Sequence, residues 1–158
     1  MKNKKITWWK RYLSTEISVD YKTGIYFFCV LFYYALYRIY CHSWQLPIIY
    51  LTEMLITTYL ICYVQVCLLG NFDEAEHIGM RELLNISICC CLHTAASILF
   101  GWFNNKHLVP AALIFFVYML IVYGCISLAN RIKRTIDTRN LNQELNAFKQ
   151  RRNLHENN

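Results

Sequence analysis

Residues Leu108–Asn130, LVPAALIFFVYMLIVYGCISLAN, carry no charged side chain. A helix rises ~1.5 Å per residue, so ~20 apolar residues cross the ~30 Å hydrocarbon layer of a bilayer. This stretch exceeds that length and ends at Arg131, Lys133 and Arg134. The chain beyond it contains no Gly or Pro. The stretch therefore reads as a membrane span that leaves the bilayer as a basic helical tail.

The rest of the chain repeats the membrane theme. Of its 158 residues, 56% are hydrophobic, and its mean hydropathy is +0.25. Water-soluble domains rarely carry that composition. The net charge is +6, but the basic residues cluster outside the apolar runs. They read as topology signals and not as a nucleic-acid surface, for which no basic soluble domain is long enough. All eight cysteines (Cys29, Cys41, Cys62, Cys67, Cys89, Cys90, Cys91 and Cys125) lie inside apolar runs. A disulfide framework needs exposed loops in an oxidising compartment; these read as buried thiols acting as small hydrophobes.

Four apolar runs are expected to span: 24–42, 47–69, 83–103 and 108–130. Pro47 suits a helix start. The links at 43–46 and 104–107 are short, which makes neighbouring helices antiparallel. Ahead of the first run, residues 1–23 form a basic segment with Lys2, Lys4, Lys5, Lys10, Arg11 and Lys22. Ile6, Trp9, Leu13 and Ile17 recur at helical spacing, as in an amphipathic helix lying among lipid headgroups. A secretory signal fits poorly, because the first apolar run starts late, contains Arg38 and lacks a small-residue cleavage site.

Lys and Arg sides set the orientation. The basic N-terminal residues, Arg81 and the tail (Arg131, Lys133, Arg134, Arg139, Lys149, Arg151, Arg152) fall on one side. Lys106 falls on the other, with Arg38 close to it. Both termini are thus expected in the cytoplasm. The middle loop, residues 70–79, is acidic. Asn71 and Glu74 have capping-box-like spacing, and Gly79 would end that turn.

Polar residues inside hydrocarbon are costly and normally face a bundle interior. Asn85, Cys89, His93, Ser97 and Gly101 recur every four residues in the third run. Glu53, Thr57 and Gln65 share a face in the second. Such stripes let membrane helices pack closely and hydrogen-bond; a lined path or ligand cleft is the functional alternative. Arg38 and Glu53 lie equally far from the turn centre at Gln45–Leu46, so a symmetric hairpin would pair them at one depth. The same symmetric folding about residue 105 sets His93 level with Tyr118.

His93 with Cys89 and Cys90 has metal-like spacing, but no second pair sits at matching depth, and neither metal nor cofactor is expected. A thiol-oxidising, quinone-linked four-helix enzyme would need paired cysteines at the outer surface, where only Cys41 lies. No nucleophile–base pair, phosphate loop or paired acidic motif is present, so the chain reads as a non-enzyme. In the tail, Ile132 and Ile136 share one face, while Leu141, Leu145 and Phe148 share another. A continuous helix presents both faces; a break near Asn140, capped with Gln143, is the alternative.

Several short motifs resemble a family of small four-helix membrane proteins of Gram-positive bacteria, often encoded beside LytTR-type transcription regulators. They are Tyr63 and Gln65 closing the second run, GNFDEAE at residues 70–76, Trp102-Phe103, and LNQELNAFK at residues 141–149. The similarity covers roughly residues 45–150. It implies a membrane-bound antagonist of a partner regulator, or an accessory membrane role, with no catalytic residue.

The expected architecture is all-α. A four-span transmembrane bundle (24–130) follows an amphipathic N-terminal segment, and a basic cytoplasmic helical tail (131–158) follows the bundle. The expected function is regulatory: a multi-pass cell-membrane protein, in contact with lipid, that holds a cytoplasmic regulator through its inner loop and through Leu141, Leu145 and Phe148. Direct nucleic-acid binding is not expected. A small transporter or channel component, as one protomer or a homo-oligomer, is the alternative, followed by an accessory subunit of a larger membrane complex.

Overall fold

The computed structural model of the chain describes residues 2–43, 45–70, 72, 79–104 and 107–156, with side chains for 9–10 and 12–149 within those ranges. The described chain is built on four helices: α1 (Lys2–Tyr40), α2 (Ile48–Cys67), α3 (Met80–Leu99) and α4 (Leu108–Glu156). Three of them, α2, α3 and Leu108–Lys149 within α4, are long and apolar enough to cross a membrane. α1 has 39 residues, ample length, but its apolar half is rich in tyrosine (Tyr26, Tyr33, Tyr34, Tyr37, Tyr40) and holds Arg38. Phenol and guanidinium groups lower its hydropathy.

Each helix packs on its neighbours in sequence, and α4 closes the ring onto α1. The inward faces follow the three-and-four spacing of a helix. Val19, Tyr26, Val30, Tyr34 and Tyr37 come from α1, Met54, Ile61 and Cys62 from α2, Ile86, Cys89 and Cys90 from α3, and Phe115, Met119 and Tyr123 from α4. The outward faces are equally apolar: Phe28 and Phe32, Ile56 and Leu60, Leu84 and Ile88, Leu113, Val117 and Ile121 are all exposed. A helix that is hydrophobic all round belongs in a protein core or in lipid. These outward faces have no protein against them, and lipid is the environment they fit.

Aromatic rings fill the end of the bundle where α1 meets the start of α4. Tyr37 and Phe103 lie 5.0 Å apart, Tyr33 and Phe115 5.0 Å, and Phe103 and Phe115 5.7 Å between ring centroids. Tilted and edge-on pairs of this kind add ~0.5–1.5 kcal/mol each beyond their buried area. Tyr33 Oη donates to the Ala111 carbonyl (2.8 Å) and Tyr118 Oη to the Cys29 carbonyl (3.0 Å), tying α1 to α4 twice.

Several boundaries differ from the sequence expectation. Residues 2–40, from the N-terminal segment and the first run together, lie on one helix, because only Gly24 interrupts them and a lone glycine is tolerated within a helix. α3 stops at Leu99, short of the expected 103. Gly101 adopts φ +65°, its N–H bonds to the Ile98 carbonyl and the Trp102 N–H to the Ser97 carbonyl. That is a Schellman helix end, where a left-handed residue closes the last turn. Trp102 and Phe103 then turn back into the core. His42 closes α1 in the same way at φ 54°, with bonds from His42 to Ile39 and from Ser43 to Arg38. Gly79, placed by the sequence at the end of the acidic loop's turn, is extended at φ -91°, and the turn itself lies outside the described residues. Gly79 precedes α3, and its N–H donates to Glu82 Oε2 at 2.8 Å. Asn71 and Glu74, the expected cap, fall outside the described residues. α4 runs unbroken past Asn140 to Glu156, so the tail continues the last apolar helix without a break.

Candidate functional site

Two regions carry polar groups in positions that ordinary packing does not require. One is the bundle interior. The other is the part of α4 that extends past the packed helices.

The interior stripes are only partly joined. Asn85 Nδ2 donates to the Leu69 carbonyl at 3.1 Å, fastening α3 to the end of α2. His93 is fully enclosed, and its Nδ1 meets the Cys89 carbonyl at 3.0 Å. A carbonyl only accepts, so Nδ1 carries the proton and Nε2 is the bare acceptor. Nε2 has no partner. Ser97 donates to Thr94 (2.7 Å) and Thr94 to Cys90 (2.9 Å), so both are satisfied on their own helix. Thr57 is buried. Gln65 is 0% exposed, and neither its Nε2 nor its Oε1 has a partner. Gly101 leaves the stripe altogether, since its role is the helix end.

The bundle interior holds further polar members on α1, α2 and α4. Tyr123 lies with its ring 6.1 Å from His93, 4.4 Å from Tyr26 and 6.0 Å from Phe72. The ring facing His93 is thus Tyr123 and not Tyr118, which is engaged with Cys29. Symmetric folding about residue 105 fails because the turn carries Trp102 and Phe103 inward. Tyr123 Oη, Ser127 Oγ, Thr58 Oγ1 and Thr23 Oγ1 are also buried without partners. Met119, Tyr123 and Ser127 repeat every four residues, the same signal that marked α3. Lys22, assigned from sequence to the headgroup layer, is only 4% exposed, on the face of α1 that also carries Val19 and Tyr26.

Arg38 and Glu53 take separate partners. Arg38 Nη2 donates to Ser43 Oγ and to the Gln45 carbonyl (2.8 Å), bracing the turn after α1. Glu53 Oε2 accepts from Trp102 Nε1 at 3.3 Å. No ion pair joins the two among the described residues. The open carbonyls beyond a helix end lie within reach of a basic side chain in its last turn, and they hold Arg38 there. At the opposite end of the bundle, Tyr59 Oη donates to Glu16 Oε2 at 3.3 Å, linking α1 to α2. Glu16 also raises the Tyr12 phenol pKa above its usual value, through a hydrogen bond and its negative charge.

Among the described residues, no three His, Cys, Asp or Glu side chains are grouped to hold a metal ion. A groove of about 290 Å³, lined by Tyr33, Tyr37, Tyr40, Pro110, Ala111 and Ile114 among others, opens on the α1–α4 seam. Its walls are apolar, as lipid-facing surface requires.

The projecting part of α4 is the second region. Residues 131–149 are exposed throughout. Leu141, Leu145 and Phe148 stand 66%, 50% and 67% exposed, and their spacing puts them on one face. Ile132 and Ile136, 53% and 52% exposed, continue the outward ridge of Ile121 and Leu128. Compared with family models, curated proteins and solved structures, the chain matches none.

Proposed function

We propose that the chain is a four-span membrane protein that regulates a cytoplasmic protein by docking it on the projecting end of α4. The observation that supports this most is the unbroken helix, which carries three exposed large apolar side chains on one face well beyond the bundle. Residues 131–156 extend it by roughly 39 Å at ~1.5 Å per residue. Lipid attraction accounts for the basic residues and for Ile132 and Ile136 near the boundary. It gives no reason for Leu141, Leu145 and Phe148 to share one face. A groove on a soluble partner recognises an amphipathic helix through such spaced anchors. In this proposal α1 is the fourth span, both termini are cytoplasmic, and a LytTR-type regulator is the partner the sequence resemblance suggests.

The test replaces Leu141, Leu145 and Phe148 with serine and keeps every charge. Membrane insertion and output of the neighbouring regulator are both measured. Normal insertion with the regulator released is the expected result; unchanged output with the protein inserted removes the docking role.

A second reading, a small transporter or channel component, draws on the unpartnered polar atoms of Gln65, His93, Tyr123 and Ser127. Groups of this kind line a hydrated path when water reaches them. Solute or ion flux through reconstituted vesicles, abolished by substitutions at Gln65 and His93, would favour it over docking.

A further inference from the structure

The exposed face of the tail has a repeat that goes beyond docking. Thr138, Leu141, Leu145 and Phe148 are separated by three, four and three residues on the unbroken helix α4. That is the alternation of the inner a and d positions of a two-stranded coiled coil. In this register Glu144 immediately precedes an a position and Lys149 immediately follows a d position. They are therefore the flanking g and e positions, five residues apart. In a parallel, in-register pair, a g residue meets the e residue five positions later on the other strand. Glu144 of each chain would thus face Lys149 of the other, twice by symmetry. The preceding flanking pair is Asp137 with Asn142, which brings no like charges together. An antiparallel pair would set g against g and e against e, Glu against Glu and Lys against Lys.

We propose that this face is covered by the same face of a second copy of the chain, in a parallel pair of tails. Two chains inserted in one membrane in the same orientation present their tails parallel and in register without further ordering. The seam is short. The sequence places Arg134 and Arg152 at the next inner positions, so the pair ends there after roughly 16 Å. A pair of this length is marginal between free peptides; confinement to one membrane raises the effective concentration and favours it. The face then has two states, paired or open, and the docking partner meets only the open one. That last relation rests on the docking reading; the pairing itself does not.

The test uses the full chain in lipid vesicles that contain no other protein. Donor and acceptor fluorophores are fused after residue 158, and energy transfer is followed as the protein is diluted in lipid. The variants are Glu144→Lys, Lys149→Glu, and an equal mixture of the two. Each variant alone sets like charges against each other at both flanking contacts and should weaken association roughly tenfold. The mixture restores opposite charges at both contacts and should recover wild-type transfer. No transfer for the wild type, transfer unchanged in the single variants, or no recovery in the mixture would each overturn the pairing. Because no regulator is present, a failed docking reading leaves this result untouched.

Discussion

Gln65 offers the sharpest test of the interior. It is fully enclosed, and neither amide atom has a partner. Leucine occupies a similar volume and brings no polar atom. An unsatisfied buried polar group costs ~1–3 kcal/mol, and removing it without opening a cavity recovers that cost. Within a membrane, the unfolded helices also find partners for such groups, and measured effects average nearer ~0.6 kcal/mol. Gln65→Leu should therefore stabilise the bundle by about 1 kcal/mol, roughly fivefold in the folding equilibrium. The assay is unfolding in mixed micelles, titrated with a denaturing detergent and followed by far-ultraviolet circular dichroism. Gln65→Ala, which opens a cavity, is the control and should destabilise. If Gln65→Leu destabilises by 1 kcal/mol or more, the amide is satisfied in the folded protein. A hydrated path through the bundle would then become the better account.

Further outcomes follow from the two left-handed helix ends. His42→Gly should raise the melting temperature in detergent, since a side chain at φ 54° costs ~1 kcal/mol that glycine avoids. Gly101→Ala should lower it by a similar amount at φ +65°, although open space surrounds the position. Trp102→Phe removes the indole donor to Glu53 and should cost ~1–3 kcal/mol by detergent titration. Glu53→Gln in the same background should recover part of that loss, because a neutral amide is less costly to leave partly unpaired; no recovery would mean that the indole contributes through packing alone.

The apolar runs made the helices legible. α2 starts one residue after Pro47, and α4 starts at Leu108, where its apolar run begins. The tail's continuity was legible as well, because nothing between Asn130 and Glu156 stops a helix. Other features depended on turns, which periodicity does not describe. Gly101 matched a four-residue stripe by spacing alone, yet its positive φ ends the helix there. Arg38 and Glu53 were matched by equal distance from a turn centre, but the turn's own carbonyl and Ser43 lie closer to Arg38. A symmetric turn would set His93 against Tyr118, and with Trp102 and Phe103 folded inward the ring beside His93 is Tyr123. Lys22 looked like a headgroup contact by charge. Its position on the Val19–Tyr26 face, visible in the three-and-four spacing, was the overlooked signal.

The central claim is a bundle of four spans with the tail in the cytoplasm, and α1 decides it. Hydropathy marks three helices as spans, and an odd number of crossings would put the two ends of the chain on opposite faces. The most direct measurement is protease accessibility of an epitope tag at each end, in sealed vesicles of both orientations. Four spans predict that both tags are cleaved in inside-out vesicles and protected in right-side-out ones. Cleavage of one tag in each orientation would mean that α1 does not cross, and would contradict the account.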